Sequence, residues 1–132
     1  RLTIVPVGCE ADDDADLVIE DIGEVEVEIG TATVVLVVRG PDYLGLRTAL
    51  THAIGAHGAV VIREPWRALS PADVSSVLGL PVLAEVPHSD DVARANDAGL
   101  LVCRAASMRP FKSLQTLIKD ALPPALDPLP AA

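Results

Sequence analysis

TVVLVVRGPDYLGLRTAL, residues 33–50, decides the fold. The stretch from Thr33 to Val38 is apolar or β-branched without alternation. Such a run reads as a strand covered on both faces. Gly40, Pro41 and Asp42 then turn the chain. From Tyr43 to Ala56 the apolar residues change to helical spacing, with Leu46, Ala49, Leu50, Ala53 and Ile54 on one face. A strand followed at once by a helix is half of a βαβ unit. Ala59–Ile62 supplies the next strand and Val82–Val86 another. Between them, Ser70, Pro71 and Asp73 form a helix start: N-cap, proline at the first helical position and an acid at the third. Gly79 ends that helix. Ser89 starts a further helix and Gly99 ends it. A last helix is expected from Phe111 to Leu122, with Phe111, Leu114, Leu117, Ile118 and Leu122 inward, stopped by Pro123 and Pro124. From Thr33 onward the order is strand, helix, strand, helix, strand, helix. Right-handed crossovers turn this order into a parallel sheet. The expected fold is α/β, a mainly parallel sheet flanked by helices, in one domain over residues 1–122 with a Pro-rich tail at 123–132.

Toward the amino terminus, Leu17–Ile22 reads as a strand and Leu2–Val7 as a shorter one. Between Ile22 and Thr33 stands EVEVEIG, Glu24 to Gly30, which alternates with period two. It fits an exposed strand with Val25, Val27 and Ile29 on one face, or a strained connection.

The composition narrows the function. Half of the 132 residues are hydrophobic, so a packed core is affordable and general disorder is excluded. One Phe, one Tyr and one Trp do not make a stacking platform for bases. Net charge is -9. Ten of the nineteen acids lie between Glu10 and Glu28, where no Lys or Arg occurs. Nonspecific binding to nucleic acid or to an anionic membrane is therefore not expected. The end, LPPALDPLPAA, has no basic amphipathic face for a membrane. Cys9 and Cys103 form no CxxC and read as reduced, partly buried thiols of a cytoplasmic protein. The chain opens on Arg1 instead of Met, which reads as a processed product or a piece of a longer protein.

Several residues are candidates for chemistry. Asp21 ends a strand, where a carboxylate is able to hold magnesium or simply meet water. Trp66 and Arg67, in REPWRAL after the fourth strand, fit a partner contact, because Trp and Arg are enriched in binding hot spots. Trp66 fits a cap over the core as well. Ser70 is an N-cap and not a nucleophile. His52, His57 and His88 are dispersed, and no metal is expected from them. Asp12, Asp13 and Asp14 stand in a row with no phosphoacceptor arrangement around them.

DLVIED (16–21), TVVLVVRGPDYLGLRTAL (33–50), GAVVIREP (58–65) and LSPADVSSVLGLPVLAEVPHSDDVARANDAG (69–99) follow one another in a familiar order. The order resembles the carboxyl-terminal half of the MinD/ParA family of deviant Walker P-loop ATPases. The nearest flavour is the actinobacterial MinD-like and CpaE-like (TadZ-like) proteins. RLTIVPVG, residues 1–8, fits the strand that precedes the Asp strand in that family. The resemblance covers about residues 1–122, and Leu78 to Gly99 is its most specific part. It implies a partial P-loop NTPase, or Rossmann-like, architecture. It places Asp21 at the Walker B position for magnesium and water. It also places Arg63, Glu64, Pro65, Pro87, Asp90 and Asp91 toward a nucleotide base. Asp90 and Asp91 equally suit the first turn of a helix, where its dipole favours acids.

The departures are as informative. There is no GK[ST] loop, and the only lysines are Lys112 and Lys119, both in the last helix. The acids beyond Asp21 would repel a triphosphate. The resemblance therefore implies a protein-interaction module with an incomplete nucleotide site, for positioning or assembly of septum, chromosome or pilus machinery. It implies no catalytic residue and no ATP hydrolysis by the chain alone. One alternative is half of a split or truncated ATPase, in which Mg-ATP binds only with a second chain or segment carrying the phosphate loop. Another is a Rossmann-like domain for some other small ligand. Without the phosphate-loop strand, Leu17 to Ile22 is expected to leave an open sheet edge, a place for a homodimer or another protein.

Overall fold

A computed structural model describes residues 2–6, 17–23 and 33–121 of the chain. EVEVEIG, Asp12–Asp14, Cys9 and the Pro-rich tail lie outside the described residues. The chain divides into two compact units, Arg1–Gly30 with Asp120–Ala132, and Thr31–Lys119.

In the first unit, β1 (Leu2–Pro6) pairs in parallel with β2 (Leu17–Asp21), in a register that sets Leu2 against Leu17 and Pro6 against Asp21. One edge of β2 is thus occupied by β1. Among the described residues β2 has no second partner strand.

The second unit is an α/β, Rossmann-like arrangement, as the strand and helix order requires. Its three-stranded parallel sheet has the order β3 (Val35–Arg39), β4 (Gly58–Ile62), β5 (Val82–Val86). Helix α1 (Tyr43–His52) follows β3, and α2 (Pro71–Leu78) follows β4. Beyond β5 come α3 (Asp90–Asp97), the single turn α4 (Leu101–Arg104), two 3-10 turns at Ala105–Ser107 and Arg109–Phe111, and α5 (Lys112–Ala121).

Two apolar clusters hold the sheet. On one face Val38, Ala59 and Val61 pack with Leu46 of α1 and with Val74 and Leu78 of α2. On the other, Val60, Ala84 and Val86 meet Phe111, Leu114 and Leu117. The helices α1 and α2 serve one face and α5 the other, so a central strand is covered twice. Only β4 is central, and its Ala59, Val60 and Val61 are all buried.

The expectation that TVVLVV is buried on both faces is corrected here. In β3, Val38 is buried but Val37 is 65% exposed. An apolar run specifies a strand, but among the described residues β3 pairs with β4 alone, at the edge of the three-stranded sheet. In β5, Leu83 is likewise exposed. The register steps from Ala59–Val82 to Val60–Ala84, which leaves Leu83 as one extra residue, a β-bulge.

The helix after β3 is also shorter than its apolar spacing predicts. It ends at His52, and Ile54 is 88% exposed rather than inward; Leu50 is exposed as well. Gly55 adopts a φ of 82°, which breaks the helical path. His57 must then return to the sheet, where its amide donates to the Val34 carbonyl and its Nδ1 accepts from the Val34 amide at 3.1 Å. That clasp leaves no room for another helical turn. The start of α2 follows the expectation closely. Ser70 Oγ accepts from the Asp73 amide, and the Asp73 carboxylate accepts from the Ser70 amide and hydroxyl. Gly79 closes this helix in the left-handed region at φ 66°. Cys103 is exposed, against the expectation of a partly buried thiol, because α4 is too short to bury a face.

Candidate functional site

In open parallel sheets the carboxyl ends of the strands, and the loops that leave them, form the usual ligand side. In the Thr31–Lys119 unit that side is built by Gly40–Asp42 after β3, Arg63–Ser70 after β4, and Pro87–Ser89 after β5.

These loops are cross-braced by opposite charges. Arg39 Nε donates to Glu64 Oε1 at 2.6 Å. Arg67 Nη1 lies 3.3 Å from Asp42 Oδ2, and Arg63 Nη1 lies 3.7 Å from Glu85 Oε1. Asp42 serves two elements: Oδ2 faces Arg67, while Oδ1 accepts from the Gly45 amide at 2.7 Å and caps α1. The Arg63 amide donates to the Val86 carbonyl, so the loop leaves β4 in register with β5. The Glu64 side chain lies over Gly40, where a Cβ would collide with its carboxylate. Partly exposed pairs of this kind contribute about 0–1 kcal/mol each. Their effect here is to orient the loops and to neutralise the rim between β3 and β4.

Above this neutral rim, Pro65 and Trp66 form a turn. Trp66 is 100% exposed, and its backbone sits at φ 66°. Bulky residues rarely occupy the left-handed region, and glycine or asparagine is usual at such a turn position. Of the two roles open to Trp66, the described geometry excludes the cap over the core. The indole stands in water, on the loop that carries the braced arginines Arg63 and Arg67.

The third loop has a different character. His88 Nε2 lies 3.1 Å from Asp90 Oδ1, and Arg94 Nη2 lies 3.6 Å from Asp91 Oδ1. Ser89 Oγ accepts from the Val92 amide and caps α3, whose first turn holds both aspartates. Pro87 and Asp91 border an open cleft of about 810 Å³, whose wall also includes Arg94, Arg104 and Arg109.

The structure thus brings Arg63, Glu64, Pro65, Trp66 and Arg67 together on one loop, and sets Pro87 on the next strand's loop with Asp90 and Asp91 in the first turn of the helix that follows it. Asp21 belongs to the other unit. It is exposed, and its Oδ1 accepts from the Gly23 amide at 3.0 Å, closing a turn at the end of β2. Among the described residues there is no group of three His, Cys, Asp or Glu side chains arranged to hold a metal ion, and no helix is long and apolar enough to cross a membrane.

Sequence reasoning missed Arg39, Asp42 and Glu85, the partners of the rim, and the three arginines of the cleft. Arg39 and Glu64 are 25 residues apart, and only strand register brings them together. The arginines carried one weak signal: three of them fall between residues 94 and 109 of an acidic chain.

No protein-family model, curated protein or solved structure matches the chain.

Proposed function

We propose that this chain is a MinD/ParA-like protein-interaction module with an incomplete nucleotide site, and that it binds a partner protein through the loop after β4. The observation that carries the reading is Trp66, fully exposed in a left-handed turn. A large apolar surface held in water by an unfavourable backbone conformation serves no folding purpose, and residues kept in such conformations concentrate at functional sites. Trp and Arg are the side chains most enriched in binding hot spots. Arg63 and Arg67 stand on the same loop and are held by Glu85 and Asp42. A rim whose charges are already paired has little left to offer a triphosphate, and it has no lysine. The resemblance of residues 69–99 supplies the expected setting, the positioning or assembly of cell machinery.

Two measurements test this together. A photoreactive phenylalanine analogue placed at position 66 is expected to crosslink one defined protein in cells, while the same group at Arg47 does not. Calorimetry with Mg-ATP on the purified chain is expected to show no magnesium-dependent binding. Crosslinking at 66 no stronger than at 47 would overturn the reading. So would magnesium-dependent ATP binding that Asp21→Ala abolishes, because the module would then hold a working half-site.

A further inference from the structure

Eight arginines occur in the chain, and seven lie in the described residues. Four of these are held by carboxylates: Arg39, Arg63, Arg67 and Arg94. Arg47 lies over the Tyr43 ring, 5.9 Å from its centroid. Arg104 and Arg109 remain. Among the described residues neither has a carboxylate within ion-pair distance, and both line the cleft beyond β5 together with Arg94.

We propose that this cleft is a binding site for a small organic phosphate. Three arginines and a single carboxylate residue, Asp91, line the cleft, and Asp91 is engaged with Arg94. Like charges gathered on one wall repel each other unless an anion joins them, and a chain of net charge -9 has carboxylates in plenty to pair them. The cations come from three elements, α3, α4 and the turn before α5, so the fold itself gathers them. Guanidinium suits a phosphate through its planar fork of donors. The cleft's volume, about 810 Å³, is that of a small-molecule site. Met108, Pro87 and Pro110 add apolar wall, which favours a phosphate carried on an organic body over the bare ion. This site stands apart from the Trp66 loop and does not depend on the partner reading.

The probe is phenyl phosphate, titrated into the full chain in low-salt buffer by calorimetry, with inorganic phosphate and citrate as comparisons. Phenyl phosphate is expected to saturate one site and to bind more tightly than either comparison. Arg104→Gln and Arg109→Gln are each expected to weaken it about tenfold, the usual loss for one charge-assisted contact. Arg104→Lys, which keeps the charge and loses the fork, is expected to fall between. Arg47→Gln removes the same charge elsewhere and is expected to leave binding unchanged. The far-ultraviolet spectrum and melting temperature of each variant report that the fold is retained. Absence of saturable binding to the wild-type chain would overturn the proposal. Equal weakening by Arg47→Gln would overturn it too, by exposing a general charge effect. Phosphate, citrate and phenyl phosphate binding alike would overturn the assignment of an organic phosphate.

Discussion

Trp66 sets a test that needs no knowledge of the partner. Its backbone lies at φ 66° and its side chain is 100% exposed. For a residue with a Cβ, the left-handed region costs about 1–2 kcal/mol. Glycine avoids that cost but adds about 0.4–1 kcal/mol of unfolded-chain entropy. No buried area is lost with the indole, so Trp66→Gly is expected to stabilise the fold by about 0.5–1 kcal/mol. For a chain of this size that raises the melting temperature by about 2–4 °C. Trp66→Ala keeps the Cβ and the backbone cost, and is expected to stay within about 0.5 kcal/mol of wild type. Trp66 is the only tryptophan, so fluorescence cannot follow these variants. Urea unfolding read by circular dichroism serves instead, with the slope required to stay constant so that a midpoint shift means stability. Both variants, used as bait in a pull-down, are expected to retain less of the partner that crosslinking identifies. A Trp66→Ala chain destabilised by more than about 1.5 kcal/mol would refute the reasoning, because it would mean the indole is packed. A Trp66→Gly chain less stable than Trp66→Ala would refute it as well, because the backbone would then gain nothing from glycine.

Other expectations follow from the same structure. Val61→Ala, at a fully buried position of the central strand, is expected to cost about 2–3 kcal/mol in urea unfolding, while Val37→Ala on the exposed side of β3 stays within about 0.5 kcal/mol. Ser70→Ala removes the N-cap of α2 and is expected to cost about 1 kcal/mol by the same assay. The Ser70 hydroxyl, and then its amide, hold the Asp73 carboxyl below its ordinary value of 3.8. Its folded value is depressed, so its contribution is present above that ordinary value and lost as pH falls through the folded one. The stability difference between wild type and Asp73→Asn, measured by urea unfolding across acid pH, is therefore expected to shrink below about pH 4. A difference that stayed constant through the acid range would show that the box does not distinguish the charged carboxylate.

The elements with local causes were legible in the sequence. Ser70, Pro71, Asp73 and Gly79 announce α2 because a capping box and a left-handed stop need only neighbours in sequence. AVVI at residues 59–62 announces a covered strand and is one. TVVLVV announces the same, yet among the described residues β3 is paired on one side only, because strand order is a property of the whole sheet. Leu50 and Ile54 have helical spacing, yet Gly55 and the His57 clasp end the helix first. At the candidate site, REPWR could be placed on the ligand side from its position after a strand. The exposure of Trp66 could not, since an aromatic beside a strand end packs inward or outward according to the turn that carries it. The ion pairs and the arginine cleft were hidden for one common reason. Each joins residues from different elements, and only register and crossover geometry set them side by side.

Register also links the two faces of the ligand side, through the single extra residue in β5. Leu83 shifts the pairing so that Glu85 stands opposite Val61 and Val86 opposite Ile62. Without it, continuing from Ala59–Val82, Ala84 would stand opposite Val61 and Glu85 opposite Ile62. The side chains of a strand alternate between faces, so a one-residue slip exchanges them all. Glu85 would then be turned toward the cluster of Phe111, Leu114 and Leu117, an apolar place for an unpaired carboxylate. In the observed register Val86 fills that place and Glu85 is free to meet Arg63. The same shift sets where Pro87 leaves the sheet, and hence where the arginine cleft opens. Ser113 Oγ secures the arrangement by donating to the Glu85 carbonyl. One inserted residue thus serves both the Arg63–Glu85 pair, in the loop that carries Trp66, and the position of the cleft.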